Sequence, residues 1–313
     1  MSRTTRRRRR QHHPGSQPGS QSTGTVPVAP LSIYDPIHFG IDENGHHVSV
    51  TLMYRNLLIG GEPGSGKSSL LNTVIGHAAL CCDCDLWLID GKLVELGMWS
   101  VIADRFVGNN NQHAITALRE LQAEMDLRYT MLRIAGRRKI VKTDPLRVIL
   151  CAIDELAYFS VITGTDDQRQ EVIDLVCDLV ARGRAVGIII VAATQRPSAD
   201  VIPTRLRDIF GYRAAFRCTT DSSSDIILSV GWAKEGYNAK TIAPEAVGVG
   251  FLLAEGGIPK RFKAAYLDDD HIKAIVAYAS TIRRTTGAEG AIDDGMDYDG
   301  TADIPARVTE PVA

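Results

Sequence analysis

Residues 61–68 read GEPGSGKS, and this stretch decides the fold. It fits the phosphate-loop pattern G-x-x-x-x-G-K-[ST], and the apolar runs on either side of it predict a strand, a loop and a helix. Glycines let backbone N–H groups turn toward a β-phosphate, and the start of the helix adds the positive end of its dipole. The stretch therefore predicts the binding of a nucleoside triphosphate.

Each residue type in the loop has an expected task. Lys67 is expected to contact the β- and γ-phosphates, and the Ser68 hydroxyl is expected to contact Mg²⁺. The residues predicted to hold the nucleotide are Gly61, Glu62, Pro63, Gly64, Ser65, Gly66, Lys67, Ser68 and Ser69.

A second apolar run, residues 147–153, ends in Asp154 and Glu155. An Asp at the end of a buried strand can hold Mg²⁺ together with Ser68, and a neighbouring Glu can deprotonate the attacking water. Acidic residues at such a position also commonly cap the next helix. The phosphate loop upstream favours the catalytic interpretation, so hydrolysis is predicted.

Two polar residues, Thr194 and Gln195, follow a third apolar run, residues 187–193. Because this run comes one strand after the acidic pair, a polar side chain at its end could sense the γ-phosphate. A Thr-Gln pair after a strand is otherwise typical of a simple turn.

Apolar bursts alternate with amphipathic stretches through the middle of the chain. The bursts that we interpret as buried strands are residues 56–60, 85–89, 147–153, 187–193, 212–216 and 250–253. Unbroken apolar strands are typical of a sheet that helices cover on both faces. Helical spacing of apolar residues recurs in 114–134 and again in 172–180. The predicted fold class is α/β, with a mostly parallel sheet and helices on both faces.

The chain of 313 residues fits one mid-sized domain with two tails. Its formal net charge of -2 conceals an asymmetry, because arginines fill residues 6–10 and aspartates crowd residues 293–303. We predict a disordered Arg-rich tail over 1–30 and a disordered acidic tail over 284–313. Between them we predict a short β-rich lead-in over 31–56, with a hairpin around Asn44-Gly45, and the main domain over 57–283.

Several protein classes are disfavoured by the sequence. Polar residues follow the arginine run where a secretory signal would be apolar, and the apolar runs are too short to span a bilayer. Six cysteines are therefore expected to be reduced thiols in a cytoplasmic protein. The single C-x-x-C pair, Cys81 and Cys84, lacks the further ligands that a closed zinc site requires.

Five segments between Leu57 and Ala265 resemble the FtsK/SpoIIIE motor domain in addition to its phosphate loop. The segment 88–96 looks like I-D-P-K-x-x-E-L, with Gly91 where the proline usually stands. The others are EMDLRY (124–129), similar to E-M-x-x-R-Y; IDELA (153–157), similar to the Walker B stretch; RAVGI (184–188), similar to A-R-A-A-G-I; and ATQRPSADVI (193–202), similar to A-T-Q-R-P-S-x-D-V-I.

The resemblance implies a RecA-like P-loop fold, ATP with Mg²⁺, and a hexameric ring of identical subunits around double-stranded DNA. By the same matching, Arg184 takes the place of an arginine finger that reaches the neighbouring subunit's ATP, and Gln195 takes the place of a polar sensor. A solvated charge at a helix end is the simpler interpretation of Arg184. Such a finger would make assembly part of catalysis.

The chain departs from the family at the positions where basic residues contact DNA. Asp221 and Asp225 stand there, and acidic groups repel phosphates. DNA contact is then expected from Arg205 and Arg207, in a loop after Pro203, or from the arginine tail. Arginine runs also favour anionic membranes or simply solubility, so the role of the tail stays open.

The leading hypothesis is an ATP-dependent double-stranded DNA translocase for conjugal transfer or chromosome segregation. We expect no sequence-reading DNA module after the main domain, and such short solitary motors resemble the transfer proteins of actinobacterial conjugative and integrative elements. The alternative is a coupling or secretion ATPase that acts on proteins, which Asp221 and Asp225 favour. A third possibility is a scaffold that binds ATP without moving anything. The expected location is cytoplasmic, with a membrane-associated partner or a peripheral position at the membrane or septum left open.

Overall fold

The computed structural model describes Met1, residues 31–254 and residues 256–285. The predicted Arg-rich tail beyond Met1 lies outside the described residues, and so does the predicted acidic tail from residue 286 onward. The first two residues of that predicted tail, Arg284 and Thr285, are instead the end of a helix. None of the helices in the described part of the chain has both the length and the apolar character that a bilayer span requires.

Strands and helices alternate along the chain. The strands are β1 (Ile37–Asp42), β2 (His47–Val50), β3 (Leu57–Gly60), β4 (Cys84–Ile89), β5 (Arg105–Val107), β6 (Val148–Ile153), β7 (Ile188–Thr194), β8 (Tyr212–Phe216), β9 (Val249–Leu253) and β10 (Lys260–Ala264). The helices are α1 (Lys67–Ala79), α2 (Asn111–Ile134), α3 (Asp166–Arg182), α4 (Thr204–Arg207), α5 (Asp221–Leu228) and α6 (Asp269–Thr285).

All ten strands of the described chain form one sheet in the order β2-β1-β10-β9-β8-β3-β7-β6-β4-β5. From β8 to β5 the neighbouring strands are parallel, and from β8 to β2 they are antiparallel. The six predicted apolar bursts correspond to β3, β4, β6, β7, β8 and β9, and every residue of β3, β6 and β7 is buried. The predicted α/β fold with a mostly parallel sheet is confirmed.

The direction of each crossover decides which face its helix covers. The chain passes from β3 through α1 to β4 in one direction along the sheet, and returns through α2 and α3 in the other. Because such crossovers are right-handed, α1 lies on one face and α2 and α3 lie on the opposite face. Helix α6 packs over α1, and α2 packs against α3. The carboxyl ends of the parallel strands therefore meet at one edge of the sheet, where loops can gather polar groups.

The lead-in predicted for residues 31–56 contains the β1–β2 hairpin, which turns at Gly45 with a left-handed φ of 80°. Strand β1 pairs with β10, so these residues extend the same sheet.

A buried asparagine links the central strands to α3. Asn56 is fully buried; its Nδ2 donates to the Val180 carbonyl at 2.9 Å, and its Oδ1 accepts from the Ile190 N–H at 2.7 Å. Both partners are backbone groups that no water can reach at this depth, so the side chain satisfies two groups that would be costly to leave unpaired.

Replacing Asn56 should therefore destabilise the whole domain. Asn56→Ala should lower the free energy of unfolding by about 2–4 kcal/mol, because it opens a cavity and leaves two buried backbone groups without partners. Denaturant unfolding followed by circular dichroism measures the change. Asn44→Ala, at an exposed position in the hairpin turn, is the control and should stay within about 0.5 kcal/mol of wild type. A loss below about 1 kcal/mol for Asn56→Ala would contradict this account.

Candidate nucleotide-binding site

The predicted phosphate loop joins the carboxyl end of β3 to the amino end of α1. Gly64 and Gly66 have left-handed φ angles of 72° and 105°, and Gly66 is the N-cap residue of α1. No side chain caps this helix end. Apart from the Ser69 N–H, which donates to the Gly66 carbonyl at 3.1 Å, the first amide N–H groups can therefore bind a ligand, and the helix dipole favours an anion. The geometry suits a phosphate group.

The loop is packed tightly against two other segments. A Cβ atom on Gly66 would lie 2.4 Å from the Gly248 Cα atom, and one on Gly61 would lie 2.8 Å from the Phe216 Cβ atom. The Gly248 N–H also donates to the Ser65 carbonyl at 2.9 Å. These glycines are therefore required by close approach to the turn before β9 and to the end of β8.

Glu62, predicted as a nucleotide-binding residue, faces the end of β8. Its carboxylate Oε2 lies 2.8 Å from Arg217 Nη1, and its backbone N–H donates to the Arg217 carbonyl at 2.9 Å. Ser65 Oγ donates to the Glu62 carbonyl at 2.7 Å, which fixes the turn of the loop. Pro63 and Gly64 are exposed at its tip.

Lys67 begins α1 and is 5% exposed. Burial lowers the pKa of its ammonium group, and the carboxylates of Glu155 and Asp154 act in the opposite direction. Ser68 and Ser69 follow it in the first turn and are half-buried. The structure thus brings the predicted lysine together with both predicted carboxylates.

Asp154 follows the carboxyl end of β6 and is 4% exposed. Its Oδ2 atom is buried and has no hydrogen-bond partner among the described residues. Burial raises the pKa of this carboxyl to about 7, and the Glu95 carboxylate adds to the rise. A buried carboxylate oxygen with an unused lone pair is what a divalent cation requires, so Asp154 and Ser68 fit the predicted Mg²⁺ site.

An ion at this place would depend on the nucleotide. In the described residues no group of three or more His, Cys, Asp or Glu side chains is placed to hold a metal. Mg²⁺ is commonly bound through one or two protein oxygens together with phosphate oxygens and water. The chain thus supplies part of a coordination shell that a triphosphate would complete.

Several hydrogen-bond donors surround the carboxylate of Glu155. It accepts from Thr194 Oγ1 at 2.7 Å and from the Gln195 backbone N–H at 3.1 Å and 2.9 Å, and the Lys92 ammonium lies 3.9 Å away. The family resemblance implied that Gln195 is the polar sensor of the γ-phosphate. In the structure this side chain is half-buried at the end of β7, and the contact with Glu155 is made by the Gln195 backbone. Thr194 and Lys92 were not among the predicted site residues.

The segment that carries Lys92 is held by a buried aspartate. Asp90, fully buried, accepts from the Lys92 N–H at 2.9 Å and from the Leu96 N–H at 2.8 Å. A Cβ atom on Gly91 would lie 2.7 Å from the Tyr158 ring, so the position has no room for the proline that the family resemblance expects. The match at residues 88–96 was the available sequence signal for this part of the site.

Arg184 lies beside the amino ends of the parallel strands, whereas the phosphate loop lies at their carboxyl ends. It belongs to a 3-10 turn, Gly183–Val186, just before the amino end of β7. Because β7 is seven residues long and a strand rises about 3.3 Å per residue, the two edges are roughly 20 Å apart. Arg184 is half-buried and lines a cavity of about 470 Å³. It cannot reach the nucleotide site of its own subunit.

The predicted DNA-contact residues already have partners. Arg205 Nη2 lies 2.6 Å from Asp174 Oδ1, and both groups are about half exposed. Arg207 is only 11% exposed and contacts Asp208 and Thr204. The predicted loop after Pro203 is wrong, because residues Thr204–Arg207 form α4, which Leu206 anchors in the core.

The two acidic residues at the family's basic positions have structural contacts. Asp221 begins α5 and accepts from Asn238 Nδ2 at 2.9 Å, with Lys240 also nearby. Asp225 accepts from the Gly231 and Ala233 N–H groups at 3.0 Å and 2.8 Å. Both carboxylates thus stabilise the segment that follows α5.

Comparison with known proteins agrees with this geometry. The model of the FtsK/SpoIIIE family matches residues 22–146. The DNA translocase FtsK of Treponema pallidum (strain Nichols) is 31% identical over 284 residues, which are 84% of this chain and 33% of that protein. The DNA translocase FtsK of Listeria monocytogenes serovar 1/2a is 28% identical over 282 residues, 83% of this chain and 36% of that protein. The chain thus spans about a third of the length of these relatives.

Solved structures show the same fold. The pCW3 conjugation coupling protein TcpA, in its monomer form with ATPγS, superposes with a TM-score of 0.66 at 25% identity, covering 80% of this chain and 71% of TcpA. The cytoplasmic domain of the Thermomonospora curvata type VII secretion ATPase EccC has a TM-score of 0.63 at 22% identity, covering 81% of this chain and 32% of EccC. The predicted P-loop fold is confirmed.

The raised pKa of Asp154 has a consequence for stability. A carboxyl whose pKa is higher in the folded than in the unfolded state destabilises the fold as pH rises from the unfolded value of 3.8 through the folded value of about 7. Asp154→Asn should therefore be more stable than wild type by about 2–4 kcal/mol at pH 8 without ligands. The difference should shrink by at least about half at pH 5, where wild-type Asp154 is protonated.

Thermal unfolding at the two pH values measures both differences. Glu235→Gln, which neutralises an exposed carboxylate, is the control and should follow wild type at both pH values. An Asp154→Asn protein no more stable than wild type at pH 8 would contradict the buried, unsatisfied state of this carboxylate.

Proposed function

The chain carries a domain of the FtsK/SpoIIIE family, and on that premise we propose that it hydrolyses ATP to move along double-stranded DNA. The observation that supports this most directly is the meeting of Lys67, Asp154 and Glu155 at the carboxyl edge of the sheet. There, the amino end of α1 has no side-chain cap, and Asp154 Oδ2 has no hydrogen-bond partner among the described residues. Both groups are suited to bind a phosphate and its cation. Such a constellation stabilises the charge that develops in phosphoryl transfer.

In the proposed mechanism, Lys67 and the amide groups of the loop hold the β- and γ-phosphates. Ser68 and Asp154 would hold Mg²⁺, which supplies charge neutralisation when bound. Glu155 takes the proton from the attacking water, and the Thr194 hydroxyl and the Gln195 N–H fix the orientation of its carboxylate. Gln195 would present its side chain toward the γ-phosphate from the same position.

We propose that the active site is completed by a second subunit. Arg184 lies roughly 20 Å from the phosphate loop of its own chain, so it can serve as a finger only for a neighbour's nucleotide. A contact of this head-to-tail kind closes into a ring when the rotation permits, and the family resemblance supports a ring of six. A peripheral cytoplasmic position beside a membrane-associated partner belongs to the same proposal.

The names of the relatives support double-stranded DNA as the substrate of the proposed motor. The curated relatives are DNA translocases, and TcpA is a conjugation coupling protein. The local hydrogen bonds of Asp221 and Asp225 account for these acidic residues without a protein substrate, so they no longer favour the secretion alternative. Arg205 remains the better candidate for a phosphate contact, because an exposed ion pair is worth little and can exchange its carboxylate for a phosphate.

The central test is ATP hydrolysis by the full chain with and without linear duplex DNA at about 50 mM salt, where phosphate contacts are strong. Wild type should be stimulated by DNA of any sequence. Lys67→Ala should lose nucleotide binding, and Glu155→Gln should bind ATP while kcat falls by at least about 100-fold. Lys234→Ala and Glu235→Gln, at exposed positions, are the matched controls.

Two outcomes would overturn parts of the proposal. If duplex DNA left the rate of ATP hydrolysis unchanged, translocation would lose its support. An ATPase that acts on proteins would then be the better hypothesis. A Glu155→Gln protein that still turns over at the wild-type rate would refute the assigned base.

Mixing two inactive variants tests the shared active site. Arg184→Ala alone should lose roughly 1000-fold in rate, as for other fingers supplied by a partner. Mixed with Lys67→Ala, it should regain activity, since about one interface in four then combines an intact loop with an intact finger under random assembly. Arg119→Ala, an exposed arginine on α2, is the control for loss of an arginine. A mixture that stays inactive although its subunits co-assemble would place Arg184 outside catalysis.

A further inference from the structure

Arg213, on β8, is a buried cation without a carboxylate partner among the described residues. It is 8% exposed; its Nε donates to the Phe210 carbonyl at 3.3 Å, and its Nη1 donates to Ser229 Oγ. No carboxylate of the described residues lies within ion-pair distance of its guanidinium. Burial lowers the pKa of this group, while the charges of Asp208 and Arg207 act in opposite directions. A buried charge in this state is costly unless an anion is supplied.

The Arg213 side chain borders the cavity of about 470 Å³ that Arg184 also lines. Apolar surface from Phe210, Trp232 and Leu253 forms part of the wall, and Asp208 stands at its rim, paired with Arg207. Arg213 beside aromatic and aliphatic side chains suits a carboxylate that is flanked by apolar groups. The cavity is large enough to admit several side chains of a peptide.

We propose that this cavity is the docking site for the acidic segment of the same chain, residues 289–299. The segment reads EGAIDDGMDYD, and it contains five carboxylates, no Lys or Arg, and three large apolar residues between the acids. The segment therefore offers carboxylates that can pair with the Arg213 guanidinium, and apolar side chains that can pack against the apolar wall of the cavity.

The position of α6 gives this segment the necessary reach. Near the end of α6, the Arg283 guanidinium donates to the Cys84 carbonyl at 3.1 Å and pairs with Asp104. These two residues stand at the amino ends of β4 and β5, on the same sheet edge as the cavity. Four strand spacings separate β4 from β8, about 19 Å along the sheet. An extended chain from Thr285 to Asp293 spans about 26 Å.

Docking would affect the proposed motor, and this part of the inference rests on the proposed function. The segment would cover the surface that Arg184 must present to a neighbouring subunit. Neutralising the segment should then raise the basal ATPase rate. The docking itself can be measured without ATP or DNA, so failure of the motor proposal and failure of the docking proposal give different results.

Hydrogen exchange of the full chain tests the docking directly. A variant with Asp293→Asn, Asp294→Asn, Asp297→Asn and Asp299→Asn should exchange at least about fivefold faster than wild type at residues 208–213 and 229–233, which border the cavity. Asp303→Asn with Glu310→Gln, which neutralises acids beyond the segment, is the matched control and should follow wild type. Equal exchange in the neutralised variant and wild type would overturn the proposal.

Two further outcomes identify a different occupant and would also overturn it. Protection that disappears on dilution would assign the cavity to a second copy of the chain. Faster exchange in Glu255→Gln alone, with none in the neutralised variant, would assign the anion to Glu255, which lies between cavity residues in the sequence and outside the described residues.

A peptide titration keeps the test independent of changes to the folded core. A synthetic peptide of residues 289–299, added to the neutralised variant, should bind at least about tenfold more tightly than the same peptide with Asn at its Asp positions, as followed by the fluorescence of Trp232. Arg213→Met should abolish this preference, because the methionine fills similar volume without a charge. Equal binding of both peptides would overturn the proposal even if Arg213→Met failed to fold.

Discussion

The turn from β3 into α1 is the constraint on which the rest of the site depends. The chain can leave the sheet and start a helix without a side-chain cap only because glycines adopt left-handed conformations there and let β8 and the turn before β9 approach closely. An exposed helix end of this kind is incomplete until an anion binds it. The carboxyl end of β6 then places Asp154 and Glu155 beside the same point, and the end of β7 adds the Thr194 hydroxyl, because parallel strands end at a common edge.

Three of the buried charged side chains have pKa values that burial shifts. Lys67, Asp154 and Arg213 are each at most 8% exposed, and burial shifts the pKa of each toward its neutral form. Optimising stability alone would replace such groups by apolar ones. Ligands that bind the folded state would compensate for the cost of burying these charges.

Much of the fold and part of the site follow from local sequence patterns. Unbroken apolar runs predicted β6 and β7, and the phosphate-loop pattern and the position of Asp154 and Glu155 after a strand indicated the site. The contacts of Thr194 and Lys92 with Glu155 join residues far apart in the chain, and no periodicity encodes such pairings. The roles of Gly91 and Asp225 depend on what packs against them, a tyrosine ring in one case and two loop N–H groups in the other. The loop predicted after Pro203 is α4 because burial of Leu206 overrides the turn signal of the proline.

The two edge strands of the ten-stranded sheet influence whether copies of the chain can associate by strand pairing. Strands β2 and β5 are four and three residues long, so each border offers few unpaired backbone groups to another chain. Long, flat borders invite strand addition between molecules, and short ones discourage it. Copies of the chain at high local concentration would therefore contact one another through side chains and loops. Pairing between the edge strands of two copies would be disfavoured.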